Sequence, residues 1–439
     1  MVVRSKITEF GRRTDGAMTS FGVLLAITII IVGGLAIDVS NVVMARTHLQ
    51  VAADSAAHAA LVVRETTVDE GVAKGVAIDI ANGSLPPSYF GSTITEADIQ
   101  FGTWDAASQV FTPSPGADDA VLVNTQRLAA RQNSVGTYFL RFIGMNHMDV
   151  VSQSVFETYI PTCFREGFVA EGPVDVTSSN LYTSGFCIHS NSFVELNCDN
   201  EYQDDVIVSM PDKRDLVLPS EGFDCNVGLE PALRDGSYEL RILQRVAEII
   251  AGVQDKTSPH YRSYITSDTP VFMDRNQKID TQWVEGRIHV LDCANSTQKA
   301  MAAAGSTMRR GILVTDCQLN FPENVAFEDA VIASENPTAG YAISAAEGFR
   351  LGKVDNCADG GDAQIVTRGG VKFAMGVEFH NGQVIAAKDI AFTSNAGTIR
   401  GVSLVSGGTI HGTTESTIGF CGGAGMENNF YAWYFRLAA

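Results

Sequence analysis

Ala17 to Ile37 contains no Asp, Glu, Lys, Arg or His, and its centre, Phe21 to Val32, is almost wholly apolar. Crossing the hydrocarbon of a bilayer takes about 20 such residues. A lone crossing segment must be a helix, because only a helix satisfies each backbone N–H and C=O internally. Charge sets the direction. Arg4, Lys6, Arg12 and Arg13 precede the run, and Asp38 follows it. The positive-inside bias then gives a cytoplasmic tail over 1–16, a transmembrane helix over 17–37 and a periplasmic or extracellular remainder. A cleaved signal peptide would have an apolar core of only about 7–15 residues and then a small-x-small site. Here the stretch is longer, and no clear site separates it from the helix-forming sequence that follows.

That sequence is Val39–Arg64, free of Gly and Pro and rich in alanine from Ala52 to Ala60. Alanine is the strongest helix former, so one helix is expected to run through the membrane and on past it. Its small residues would either admit another helix closely or pack on the chain's own small domain. Over 38–160 the pattern predicts a helical stalk with a small α+β domain. A second helix covers Asp69–Asn82, stopped by Gly83 and Pro86-Pro87. A hairpin turns at Asp105–Ser108, strands follow at Ala120–Thr125 and Asp149–Ile160, and a short helix covers Val135–Ile143.

From Cys163 the text changes to runs of four to six strand-like residues divided by Gly, Asn, Asp and Ser. Gly167–Val169, Val174–Val176, Ile312–Val314, Val371–Phe373 and Ile390–Phe392 are examples. Strands this short bury little alone, so each is expected to stack on its copy one turn away. The fold class is therefore α+β with a mostly β body over 161–439, read as a right-handed parallel β-helix. A β-sandwich is the alternative that the same strand density allows. A helical and loop insertion occupies about 229–285. Leu240, Leu243, Val246, Ile250 and Val253 mark one apolar helix face there, and Lys256–Glu285 reads as a polar surface excursion. The aromatic end, Phe430 to Phe435, would cover an open end of the stack.

The formal net charge is -19, while basic residues outnumber acidic ones before Ala17. So acidic a body repels nucleic acid. All eight cysteines, Cys163, Cys187, Cys198, Cys225, Cys293, Cys317, Cys357 and Cys421, lie in the exported part. An even number there points to disulfides in an oxidising compartment. Eight cysteines allow 105 pairings. Sequence order suggests Cys163–Cys187, Cys198–Cys225, Cys293–Cys317 and Cys357–Cys421.

The chain has no Gly-x-Ser-x-Gly, P-loop or His-Glu-x-x-His pattern. Cys187-Ile188-His189 reads as a disulfide beside a strand histidine. Asp355 to Asp362 is acidic and Gly-rich but lacks the ligand spacing of an EF-hand. Glu328, Asp329, Glu347, Arg350, Arg368, Lys372 and Glu378 are available for sugar chemistry, and nothing in their spacing groups them. No catalytic residue, cofactor or metal site is expected.

The amino-terminal text also carries a resemblance. Gly16-Ala17, the apolar run, Asp38 between Ile37 and Val39, Arg46, and Leu49-Gln50-Val51-Ala52-Ala53-Asp54 occur in this order. They resemble TadG-like proteins of tight-adherence (Tad/Flp) pilus assembly over about the first 65 residues. Val208–Pro211, Phe349–Gly352, Asp355–Cys357 and Gly425–Phe430 resemble a long subset of that family. Prepilins cut after Gly keep Glu five positions on, where this chain has Phe21, so the helix is expected to stay as a tether. Asp38-Val39-Ser40-Asn41-Val42 also lacks the second Ser of the family's Asp-x-Ser-x-Ser metal motif. The resemblance implies a pilin-like α+β domain and a non-enzymatic, single-pass inner-membrane component of pilus assembly. It would touch other assembly proteins or pilin. The alternatives are a glycan-binding or glycan-cleaving β-helix protein and a minor pilin-like subunit of the fibre.

Overall fold

The computed structural model describes residues 15–177, 179–293, 295, 297–337, 340–395 and 399–439. The first fourteen residues of the expected tail lie outside the described residues, as do the side chains of Gly16 and Ala17. The chain forms two compact units. One runs to Tyr159 and takes in Trp433–Ala439, and the other is Ile160–Ala432.

In the first unit, α1 is a single helix, Asp15–Arg64, of 50 residues, roughly 75 Å at 1.5 Å per residue. Its first half faces outward with Phe21, Leu24, Ile27 and Ile31 exposed. This is the one helix among the described residues long and apolar enough to cross a membrane. Its second half buries Leu49, Ala52, Ala53, Ala56, Ala57, Ala60 and Leu61. Helix α2, Glu70–Ser84, begins where Asp69 accepts the Gly71 N–H and buries Ala73, Ala77 and Ala81. Methyl groups four residues apart line one face, so α1 and α2 pack closely. The small residues of α1 thus meet the chain's own domain.

Behind the helices lie β1 (Ile99–Asp105), β2 (Val110–Pro113), β3 (Ala120–Arg127) and β4 (Val150–Tyr159). They form an antiparallel sheet in the order β2-β1-β3-β4, and Tyr434–Leu437 completes it beside β4. Where the spacing predicts one body over 161–439, the chain instead returns to the first unit after Ala432. Phe430 and Tyr431 of the aromatic end stay in the second unit, while Tyr434 and Phe435 cover the edge of β4, which would otherwise leave unpaired backbone groups. Tyr434 registers with Tyr159, so the second unit is inserted between two adjacent strands. The helix expected over Val135–Ile143 is also absent. Val135–Gly136 pairs with His147–Met148, and only Leu140–Ile143 makes a 3₁₀ turn.

Among the described residues every strand pair of the second unit is parallel, across one 16-stranded and one 8-stranded sheet. Sandwich sheets are antiparallel, so the sandwich alternative does not describe this unit. The chain gives a bent strand to the larger sheet and a shorter one to the smaller, then returns. Thr307–Thr315, Ala326–Ser334 and Glu378–Ala386 bend at Arg310, Asp329 and Asn381, with φ of 47°, 47° and 54°. The next strand, Ile399–Ser406, bends at Gly401, where a Cβ would lie 2.6 Å from the Asn381 Oδ1. Inside, Phe321, Phe349 and Phe373 stack at 5.6 and 5.3 Å between ring centres.

The strand order differs from the chain order. Ser403 registers with Gly167, and Ile410 with Val174. The chain therefore enters the stack part-way along and proceeds to Leu233–Asp235. It then crosses to Ser267–Phe272 at the other end and winds back to its own starting strand. This crossing accounts for the insertion expected at 229–285. The single apolar face there is divided between two short helices, Leu243 lying in Arg241–Gln244 and Val246 and Ile250 in Val246–Gly252. The last of these helices packs on strand Ala363–Thr367, so it covers a side. The polar excursion holds the strand Ser267–Phe272, which pairs with Arg287–Leu291.

Candidate functional site at the base of the amino-terminal helix

The polar residues of the amino-terminal motif are spread along α1, and most bond to the domain beside it. Asp38 is 1% exposed. Its carboxylate accepts the backbone N–H groups of Tyr138, Phe139 and Leu140 at 2.6, 2.8 and 2.6 Å. Those three donors open the 3₁₀ turn and would otherwise lack partners. At Gly34 a side chain would overlap the Phe139 ring, so the bare backbone is what admits the loop. Asn41 donates to the Gly136 carbonyl at 3.2 Å.

Farther along, the Ser152 hydroxyl donates to the Arg46 carbonyl at 3.2 Å, and the Thr125 hydroxyl to the Leu49 carbonyl at 2.8 Å. Gln50 donates to Asp54 at 2.8 Å and to the Gln153 carbonyl at 3.0 Å. Ala52 and Ala53 are fully buried. Thus Arg46, through its carbonyl, with Leu49, Gln50, Ala52, Ala53 and Asp54 form a docking face. Asp38 is a cap for the loop, its carboxylate occupied by backbone donors. A sequence pattern orders these residues; it does not announce that their partners lie about 100 positions away.

The body holds its carboxylates differently. Glu328 sits between Arg309 and Arg350 at 2.7 and 2.8 Å. Burial would raise its pKa, but the two guanidinium groups outweigh this and hold it below the ordinary value. Glu378 lies 3.7 Å from His380 and in register with Arg350. Glu328, Arg350 and Glu378 therefore share one face, a grouping invisible in linear spacing. Asp329 accepts the Gly361 N–H at 2.7 Å. Lys372 lies over the Tyr341 ring. Glu347 and Arg368 take part through backbone hydrogen bonds with Asn324 and Ser334. A cleft of about 480 Å³ opens elsewhere on this unit, lined in part by Tyr202, Asp204, Asp205, Arg234 and Phe420.

Residues that sequence reasoning passed over converge on the returning tail. Asp362 accepts the Asn428 N–H and side-chain amide, both at 2.9 Å. Gln383 both donates to and accepts from the Phe430 backbone. Arg262 lies 4.0 Å over the Phe430 ring. Glu166 accepts from Cys421 and Gly423. Burial pushes both Asp362 and Glu166 above the ordinary carboxylate range. So Asp362, at the end of the acidic stretch, holds Asn428, while Gln383 and Arg262 hold Phe430. One signal was in the text, since Gly425–Phe430 is one of the resembling stretches.

The disulfides are Cys163–Cys187, Cys198–Cys225, Cys293–Cys317 and Cys357–Cys421. Asp316 lies near Cys293 and Cys317, but both sulfurs there are bonded to each other. Cys187 is likewise bonded, and His189 contacts Ser209 and Asn191.

His289 offers a pH test of the body. Its Nε2 accepts the Val284 N–H at 2.9 Å, so Nδ1 carries the proton to the Ile312 carbonyl at 3.1 Å. Burial pushes its pKa down to about 4. The unfolded chain binds a proton near the ordinary value of about 6.5, and the folded chain does not. The contribution of His289 is therefore present above about pH 6.5 and is lost as pH falls towards 4. His289→Gln keeps a donor and an acceptor but cannot titrate there. Urea midpoints measured between pH 7 and 4 are expected to fall less steeply for this variant than for the wild type. Parallel slopes would refute the assignment.

A model of the family described as Domain of unknown function (DUF7867) matches residues 167–422. A model of the family described as Flp pilus-assembly TadE/G-like matches residues 16–65. No curated protein matches the chain.

Proposed function

Given that the chain belongs to the DUF7867 family and is TadG-like over residues 16–65, we propose that it is a non-enzymatic, membrane-anchored component of tight-adherence pilus assembly. The observation that carries this is the amino-terminal helix. The matched segment holds both the apolar span and the residues that seat its continuation on a small α+β domain. The amino terminus is cytoplasmic, the span lies in the inner membrane and the chain beyond it is periplasmic or extracellular. Basic residues before the span and cysteine pairs beyond it support that orientation. The alternation of bent and short parallel strands supports a right-handed parallel β-helix for the body. Its surfaces contact pilin or other assembly proteins.

In a strain lacking the gene, the full chain is expected to restore pilus production. A version without residues 17–37, exported by a cleavable signal, is expected to restore little. Equal restoration would overturn the anchoring role. The mature protein is also expected to keep the residues before Ala17. Mass spectrometry finding Ala17 at the amino terminus would favour a processed fibre subunit instead.

A further inference from the structure

Among the described residues, the first unit carries an apolar surface that none of its own elements covers. Phe142 is 77% exposed and Ile143 is 73% exposed, with Tyr138 and Met145 exposed beside them. Scattered apolar residues are ordinary on a surface. These are clustered in one loop, and the loop is tied to α1 at a known level. Asp38 holds the N–H groups of Tyr138, Phe139 and Leu140. The Phe139 ring lies against Gly34, about one turn inside the end of the apolar run at Ile37. The exposed apolar side of α1 also continues past Asp38 through Val39, Val43 and Met44. Met18 to Met44 covers roughly 40 Å, against about 30 Å of hydrocarbon. A bilayer around Ala17–Ile37 therefore has its boundary at the level of this loop.

We infer that the Tyr138–Met145 loop is a second lipid contact, a wedge in the interfacial layer of the leaflet through which α1 emerges. This rests on the reading of α1 as a membrane span. Phe142 and Ile143 enter the acyl boundary, and Tyr138 sits at the headgroups, where amphipathic rings collect. Arg141 is exposed and lies 5.5 Å from the Phe142 ring centre, so its guanidinium reaches lipid phosphate while its stem lies on apolar surface. Two attachments, span and wedge, then fix the depth and tilt of the helix where a single span would leave both free.

The test uses the full chain in vesicles of phosphatidylethanolamine and phosphatidylglycerol. Among the described residues no cysteine is free, so Ile143→Cys can carry one environment-sensitive fluorophore. Val68→Cys, at a position 94% exposed just beyond the far end of α1, is the aqueous control. Leu25→Cys, within the span, is the membrane control. Quenching of the Ile143→Cys label by lipids bearing a nitroxide near the headgroup is expected to exceed that at Val68→Cys by about five-fold, with iodide quenching reduced in step. Iodide quenching equal to the Val68→Cys label would overturn the inference. So would protection from both quenchers, which would put another protein on the loop. If Leu25→Cys escapes a nitroxide near the chain end, the membrane span itself fails and the wedge falls with it.

Discussion

Phe349→Ala is expected to destabilise the parallel body by about 3–5 kcal/mol, because it removes both transfer free energy and packing around the space left behind. Phe349 is fully buried. It stacks on Phe321 on one side and on Phe373 on the other, with interplanar angles of 28° and 29°. Phe327 approaches from a third direction at 6.0 Å. In a stack each turn is held chiefly by its neighbours, so a hole at Phe349 weakens contacts to the turns before and after it. Domains typically keep only about 5–15 kcal/mol in total, and the change takes a large part of that. Urea unfolding of the full chain in detergent, followed by a probe in the body, measures it. Phe349→Leu refills most of the space and is expected to cost less. A loss under about 1 kcal/mol for the alanine variant would show that the aromatic column is not the body's core.

The second large effect is expected at Asp38. Asp38→Ala leaves the N–H groups of Tyr138, Phe139 and Leu140 without their acceptor, and each buried donor so stranded opposes the folded arrangement. The loop from Thr137 to Asn146 is expected to detach from α1 while the helix stays on its sheet through Leu49, Gln50 and the buried alanines. Amide exchange at Tyr138–Leu140 is expected to quicken on the order of ten-fold or more, with little change in β3 and β4. Asp38→Asn keeps one acceptor oxygen and is expected to fall between. Unchanged exchange in the alanine variant would show that the carboxylate does not hold the loop. A global collapse of protection would show that it does more than that.

The parts legible in the sequence are those set by local chemistry. An uncharged apolar run, an alanine-rich continuation and a change to short strands after Cys163 foretell the long helix, the α+β unit and the β-rich body. The paired cysteines lie 24, 27, 24 and 64 positions apart, close enough for sequence order to suggest the pairs. What could not be read depends on register between distant segments. Nothing near Gly167 says that it will lie beside Ser403, because a parallel strand takes its partner from whichever turn reaches it. The Tyr434–Leu437 strand was hidden for the same reason. Its aromatic residues read as cover for an open end, and the edge they cover belongs to β4.

The docking role of Asp38 and Gln50 shows the same division. Their identities and order carry the resemblance read from the sequence, while their partners Tyr138, Phe139, Leu140 and Gln153 become neighbours only on folding. Likewise Glu328, Arg350 and Glu378 reach one face because successive turns stack. A glycan enzyme would need such a grouping to bind and turn over sugar. Glu328 already answers two arginines, and Glu328→Gln is expected to weaken those ion pairs and leave pilus production intact.

The most direct measurement is in-cell photo-cross-linking from the two units of the full chain, expressed at its native level and captured from solubilised membranes. With a photoreactive residue at Tyr89 on the first unit or Val354 on the second, both exposed, specific adducts with pilin or another component of the tight-adherence apparatus are expected. Adducts only with proteins unrelated to that apparatus, or none from either unit in cells that are making pili, would contradict the account.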